Sequence, residues 1–509
     1  MNKQKVKTMM RRNSSLGSVG FSARGGRSRR RHGGSSKLPY LILIGILIVL
    51  LGIAAFLWVR RSPAAHVSSV PASTETDSEN GVISLDNASA PADDSLEGVI
   101  AQAKLLADGY DYDGAINLLS SSTYASDESV TAAIDEYNAT KETLVRADPR
   151  KVTHVFFHTL IMDTSKAFDG DSREKGYNQV MTTKDEFMKI LQSMYERGFV
   201  LVRLHDVAYE VTAEDGSRHF QEGDIMLPEG KKPFVMSQDD VCYYEYMDGD
   251  GFASRMIIGE DGKPTNEMKM DDGSVSVGSY DLVPLLDDFI KEHPDFSYKG
   301  AKAIIALTGY EGILGYRTAS SYSETPDYES EKEQAARVAQ CLRDDGWELA
   351  SHSWGHLWMG VSDDPENPYK ISDERFYTDT DKWENEVESL IGPTDIYIYP
   401  NGNDVADWHP YTEENYRYQY LASKGFRYFC NVDASKPAWI QKGPDYLRMA
   451  RRNLDGYRLY EDMIQEDPAK KRLSDLFDAS QIFDPSRPTP VTWNYGHTQN
   501  ETPAPEPEQ

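Results

Sequence analysis

Two short stretches of this chain carry the residue types from which a metal-assisted hydrolytic site can be built. Directly after the apolar run at 233–237 comes Gln238-Asp239-Asp240, so two adjacent carboxylates emerge where a strand should end. Successive side chains of an extended segment point to opposite sides, so one carboxylate can hold a cation while the other faces a substrate. A second run, at 347–351, leads into His352-Ser353-Trp354-Gly355-His356 and gives two imidazoles four positions apart. In a helical or turn-like segment such a pair lies on one side, as two ligands of one ion require. Alone, an Asp-Asp pair is more often a loop or cap feature, and an isolated pair of spaced histidines more often binds nothing. Together, two imidazoles and a carboxylate make a three-ligand set with open positions for water, as catalytic zinc and related sites require.

The elements that must position these residues follow from the patterning after Pro149. Short apolar runs at 152–157, 200–204, 233–237, 301–307, 347–351, 395–399 and 426–432 read as strands. Amphipathic stretches at 183–197, 280–292, 329–345, 381–391 and 413–424 read as helices between them. Alternation of this kind predicts an α/β fold with parallel strands and crossover helices. About seven such strands point to a closed or nearly closed (β/α) barrel, whose chemistry gathers at the carboxyl ends of the strands.

In chain order, Ser237-Gln-Asp-Asp240, His352-Ser-Trp-Gly-His356 and Tyr399-Pro-Asn-Gly402 each sit at the end of a predicted strand. Residues 150–460 thereby resemble the polysaccharide deacetylase family, the carbohydrate esterases related to chitooligosaccharide deacetylase. The resemblance implies a distorted (β/α) barrel and metal-dependent removal of N- or O-acetyl groups from a glycan. It makes Asp239 the general base, Asp240, His352 and His356 the protein ligands, and zinc the expected ion, with Co2+, Ni2+ or Mn2+ as alternatives. It also places Tyr399, Pro400 and Asn401 against substrate, with a backbone N–H near Asn401 facing the oxyanion. The chemistry is coherent, since a bound cation acidifies water and polarises a carbonyl while a nearby carboxylate takes the proton.

The chain departs from the family pattern in three places. Ile398 stands where many members have an arginine that orients the base, and Asn401 replaces a common aromatic. No late Leu-x-His motif supplies a proton donor, since only His497 follows the last predicted strand. His158 and His409 are the candidates for that role, each weighed against an ordinary histidine on the surface or in the core. These absences support an alternative reading, a catalytically impaired glycan-binding or scaffolding protein on the same fold. Arg451 and Arg452, a basic island in an acidic body, could pair with Asp239 or Asp433 in place of the missing arginine, although surface salt bridges are the commoner fate of such residues. Tyr243, Tyr244, Tyr310, Tyr316, Trp354 and Trp358 lie near the motifs and could stack on sugar rings, with core packing the plainer role for any one of them. The Gly- and Asp-rich stretch 246–279 reads as a hairpin insertion that either overhangs the strand ends or serves as a structural flap.

Around this region the composition sets the context. The net charge of -28 conceals a basic head, since residues 1–61 hold thirteen Lys or Arg and no acid, which leaves the remainder near −41. So acidic a body argues against nucleic acid as a partner. Residues 1–37 form a basic tail, and the 22 uncharged residues 38–59 are long enough for one transmembrane helix. Eleven basic residues precede the span and two follow it, which puts the N-terminus in the cytoplasm and the rest outside a bacterial cell membrane. Residues 60–93 read as a flexible stalk, and 94–149 as a small helical spacer that resembles one tetratricopeptide-type pair. Residues 150–484 hold the deacetylase-like domain, and 485–509 a solvated tail. Cys242, Cys341 and Cys430 are too few and too scattered for a disulfide framework.

Overall fold

The computed structural model describes residues 93–361, 367 and 369–493. The basic tail, the expected span at 38–59 and the stalk up to residue 92 lie outside them, as do residues 494–509. Among the described residues no helix is long and apolar enough to cross a membrane.

The spacer is a three-helix unit: α1 (Leu96–Asp108), α2 (Tyr112–Ser121) and α3 (Glu128–Lys141). The side chains of Ser95, Asp111 and Asp127 cap them by accepting from orphan N–H groups of the first turn, which fixes where each helix starts. Val99, Ala103, Ala115, Leu119 and Val130 close their shared core. The unit is docked on the barrel rather than loose, because the Tyr110 hydroxyl donates to the Asp295 carbonyl at 2.8 Å and its ring stacks on Tyr298.

The barrel strands are β1 (Thr153–Phe157), β2 (Phe199–Leu201), β3 (Lys232–Gln238), β4 (Ile304–Leu307), β5 (Glu348–Ser351), β6 (Ile396–Ile398), β7 (Tyr428–Val432) and β8 (Leu447–Asn453). Seven of them close a parallel ring in the order β4-β5-β6-β7-β8-β1-β3, with β3 returning to β4 through Ser237 and Gln238 opposite Ile304 and Ile305. The expected strand at 200–204 is real but short, and it pairs with the amino half of β3, outside the ring, with one further bridge from Leu201 to Ser297. Its place in the ring is taken by β8, a strand the sequence reading passed over.

Burial on both sides explains the continuous apolar runs. One layer of side chains, including Val235, Ile304, Ala350, Ile396, Cys430 and Met449, forms one core cluster. The alternate layer, including Val155, Phe157, Phe234, Met236 and Leu349, belongs to a second, shared with helices α4 (Lys184–Glu196), α5 (Leu282–Glu292), α6 (Tyr328–Asp344), α7 (Asp373–Trp383) and α8 (Tyr416–Ser423). Helix α7 starts eight residues before the expected helix at 381–391 and continues through it with a π-turn. The α4 start shows the local logic: Thr183 and Glu186 form a reciprocal capping box, and the same Glu186 carboxylate receives the buried Arg487 guanidinium at 2.6 Å. That ion pair holds the segment around Arg487 against the barrel, so the tail expected to be solvated from 485 is packed at its start.

The insertion is a three-stranded antiparallel meander, Arg255–Ile258, Pro264–Lys269 and Val275–Gly278, and not a single hairpin. Two Asp-Gly turns, at 261–262 and 272–273, make three strands. It is fastened to the flank of α6 by Arg255–Glu331 at 2.9 Å, and Lys263 pairs with Asp345 just beyond that helix.

Candidate active site

The loops after β3 and β5 bring the two sequence motifs together. Asp240, His352 and His356 present one ligand atom each, all within 4.8 Å of one another, and among the described residues they are the one such group of metal-ligating side chains. His356 Nε2 and Asp240 Oδ2 approach to 3.6 Å. His352 is buried, and its Nδ1–H donates to the Ile398 carbonyl at 2.9 Å. That bond fixes the tautomer and leaves Nε2 with its lone pair for a cation. Burial pushes His352 down to about 4 against the pull of Asp239 and Asp240, so the ring stays neutral as a ligand must. Burial pushes the Asp240 carboxyl up, but the imidazoles of His356, His352 and His158 outweigh it and hold it below its usual value. A donor set of one carboxylate and two imidazoles suits Zn2+ and its neighbours, with coordination positions left open.

The backbone pays attention to these positions. Asp240, Ser353, His356 and Asn401 all adopt φ between 51° and 59°, a left-handed region that costs a non-glycine residue on the order of 1–3 kcal/mol. Strain of that kind persists only where surrounding contacts over-determine it, and those contacts are visible. The Asp379 carboxylate, on α7, accepts from the N–H groups of Trp354 at 2.9 Å and Gly355 at 2.8 Å, and so clamps the turn between the two histidines. Burial raises its carboxyl to about 6 despite those bonds. The Trp354 indole donates to Glu386 at 3.0 Å, with Lys382 3.5 Å above its ring. Its Cδ1 edge lies against Gly309, where a Cβ would meet it at 2.3 Å. Trp354 is therefore held as part of the loop's scaffold, with Lys382 over its ring. On the other strand end, the buried Asp281 carboxylate receives Gln238 Nε2, the Tyr243 hydroxyl and the Leu160 N–H, which pins the residue before the Asp pair.

Asp239 is the buried member of its pair. Its Oδ1 accepts from Arg451 Nη1 at 2.6 Å, and its Oδ2 lies 3.8 Å from His352 Nε2. Arg451 and Arg452 are each 1% exposed, which corrects the expectation of surface salt bridges: they lie in β8, a central strand of the ring. Arg451 shares the inward face of β8 with Leu447 and Met449, and so supplies at Asp239 the guanidinium whose usual position Ile398 occupies. Burial pushes the Asp239 carboxyl up, and Arg451 and His352 more than offset it, leaving it at about 2. Behind Arg451 the polar chain continues inward, with Nη1 donating to Ser237 Oγ at 3.2 Å and Ser237 in turn 3.0 Å from His154 Nε2.

The two histidines held in reserve separate clearly. His158, just past β1, donates Nδ1–H to the Val180 carbonyl at 3.0 Å, and its Nε2 lies 4.0 Å from Asp240 Oδ2. With 21% of its side chain exposed, it stands at the accessible mouth of the site beside His356. His409 is exposed on a loop and stacks on Trp408, with no contact to the Asp-His-His group. Tyr399 is fully buried and its hydroxyl meets that of Tyr411 at 2.8 Å, so its role is to hold the loop that carries the buried Pro400 and the exposed, left-handed Asn401. Tyr243 and Tyr316 are core residues, while Trp358 stacks on Tyr369. Tyr244 donates its hydroxyl to Asp240 Oδ1 at 2.9 Å and lies stacked with Tyr246 and Tyr310. All three cysteines are free.

Among solved structures the chain is similar to a de-N-acetylase from Aggregatibacter actinomycetemcomitans, at 15% identity and a TM-score of 0.32, over 60% of this chain and 95% of that one. It is also similar to IcaB from Ammonifex degensii, at 13% identity and a TM-score of 0.28, over 55% of this chain and 83% of that one. No protein-family model matches the chain, and no curated protein does.

Proposed function

We propose that this chain is a metal-dependent hydrolase that removes N- or O-acetyl groups from an extracellular or cell-wall polysaccharide. The observation that carries the reading is the convergence of Asp240, His352 and His356, from two distant loops, on one point at the carboxyl ends of the strands. A divalent cation there, Zn2+ first among the candidates, would acidify water and polarise the acetyl carbonyl. The chain's own residues supply the rest. Asp239, ionised and oriented by Arg451, takes the proton from the attacking water. His158, whose Nδ1–H is committed to Val180, delivers a proton from Nε2 to the departing sugar nitrogen or oxygen. Two contacts support this reading over an inactive scaffold: Arg451 donates to Asp239, which Ile398 cannot do, and His158 lies 4.0 Å from Asp240.

The same reading keeps the catalytic region outside the cell, behind one span at 38–59 and a stalk, because the charge bias around that run points the head inward. The test is acetate release by the purified full-length protein, supplied with Zn2+ or Co2+, from acetylated chitin, peptidoglycan or xylan fragments. Release that is lost in Asp239→Asn supports the proposal. Background release by both proteins on every substrate, with metal bound, returns the scaffold reading.

A further inference from the structure

The turn that follows the Asp pair doubles back within four residues. Asp240 and Tyr243 both take left-handed backbone angles, and the Cys242 N–H closes on the Asp240 carbonyl at 2.7 Å. The result returns the Tyr244 side chain to the carboxylate that opened the turn, and its hydroxyl donates to Asp240 Oδ1 at 2.9 Å. The same hydroxyl meets Thr308 Oγ1 at 2.7 Å, just past the end of β4. With its proton given to Asp240, the Tyr244 oxygen accepts from the threonine. The ring is fixed as well as the hydroxyl, since it is 4% exposed and stacks with Tyr310 at 4.9 Å and 13° and with Tyr246 at 5.4 Å and 11°. Oδ2 is the oxygen nearest to His356 and His158, at 3.6 and 4.0 Å.

We propose that Tyr244 is the positioning residue of the metal site, holding Asp240 through Oδ1 so that Oδ2 is presented to the cation, with Thr308 holding Tyr244. This rests on the reading of Asp240, His352 and His356 as ligands. The physical reason is that a ligand carboxylate free to rotate must be ordered when the ion binds, and a donor already fixed by a ring stack removes that cost. Tyr244 touches neither substrate nor reacting atoms, so its effect reads out in metal affinity before it reads out in turnover.

The experiment uses the full-length protein stripped of metal and titrated with Zn2+ against a chromophoric chelator, then with Co2+ by its visible absorption. Tyr244→Phe keeps the ring and its stacking and removes only the hydroxyl. Its Zn2+ dissociation constant should rise about 10- to 100-fold, with an altered Co2+ spectrum and an unchanged circular dichroism spectrum. Thr308→Val, which releases the Tyr244 oxygen without touching Asp240, should give a smaller rise in the same direction. It carries the test if Tyr244→Phe does not fold. Equal affinity in the parent and in whichever variant is measured overturns the positioning role while leaving the ligand assignment standing. A parent that takes up no ion, or one that binds it as tightly after Asp240→Asn, overturns the ligand assignment and the positioning role with it.

Discussion

Replacing Arg451 by methionine removes the counter-charge of Asp239 while keeping most of the side chain's volume in the barrel. Both groups are out of water, with side-chain exposures of 1% and 4%, so Asp239 would be left as a buried carboxylate without its partner. Breaking a buried pair in this way costs about 3–5 kcal/mol. The parent's share can be read from the carboxyl itself. Its displacement from 3.8 to about 2 corresponds to about 2 kcal/mol of folding stability. Because the folded value is depressed, that contribution is complete above the unfolded value of 3.8 and fades as pH falls through about 2. In the variant the sign reverses, since burial alone raises the carboxyl and protonation then relieves the cost. The stability gap between parent and variant should therefore be largest near neutral pH and narrow on acidification toward about pH 4. Guanidinium denaturation followed by tryptophan fluorescence measures it, and Asp239→Asn placed in the Arg451→Met background should regain about 2 kcal/mol or more. A double variant no more stable than Arg451→Met alone, or a gap that widens on acidification, refutes the pairing as the source of the cost.

His158→Asn should lower turnover about 100- to 10,000-fold while leaving Zn2+ affinity unchanged, and an acetyl ester with a good leaving group should recover most of the loss. Asp379→Ala removes the acceptor of two backbone N–H groups between the histidines and should weaken Zn2+ binding by about 10-fold in a chelator competition, with Asp239 untouched. Arg487→Met breaks an ion pair of 0% exposure with Glu186 and should cost about 3–5 kcal/mol in the same denaturation assay. His205, below the opposite end of the barrel, is pushed down by burial but held up to about 10 by Asp395 and Glu348. Its contribution to stability is complete below the unfolded value of 6.5 and lost as pH rises through about 10, so the difference between the parent and His205→Gln should shrink across that range and vanish above it.

The strands that read clearly in the sequence are those whose two faces are both apolar, such as Phe234-Val-Met at the start of the Asp motif. Asp239 and Asp240 follow the end of β3, and His352 and His356 the end of β5, where those apolar runs stop. β8 was hidden because Leu447-Arg-Met-Ala-Arg-Arg-Asn looks like a charged surface stretch. The barrel's inner layer tolerates Arg451 only because Asp239 and Ser237 meet it there; the sequence offers Asp239 as a partner, but the charged pattern around it points to the surface. Asp379 and Tyr244 were missed for the same reason: a clamp on backbone N–H groups and a hydroxyl on a ligand carboxylate are properties of contact and not of spacing. Two Asp-Gly pairs did announce three strands in the insertion, and counting turns would have found them. His158 could be separated from His409 only by geometry, since each stands in sequence as a lone histidine near an aromatic residue.

The central claim is that three side chains from two loops grip one cation. Crystals of the protein grown with Zn2+ and measured at the zinc absorption edge test it most directly. The account predicts one strong anomalous peak, about 2.0–2.2 Å from Asp240 Oδ2 and from the Nε2 atoms of His352 and His356. An anomalous map that is empty there, or whose peak lies on other side chains, contradicts it.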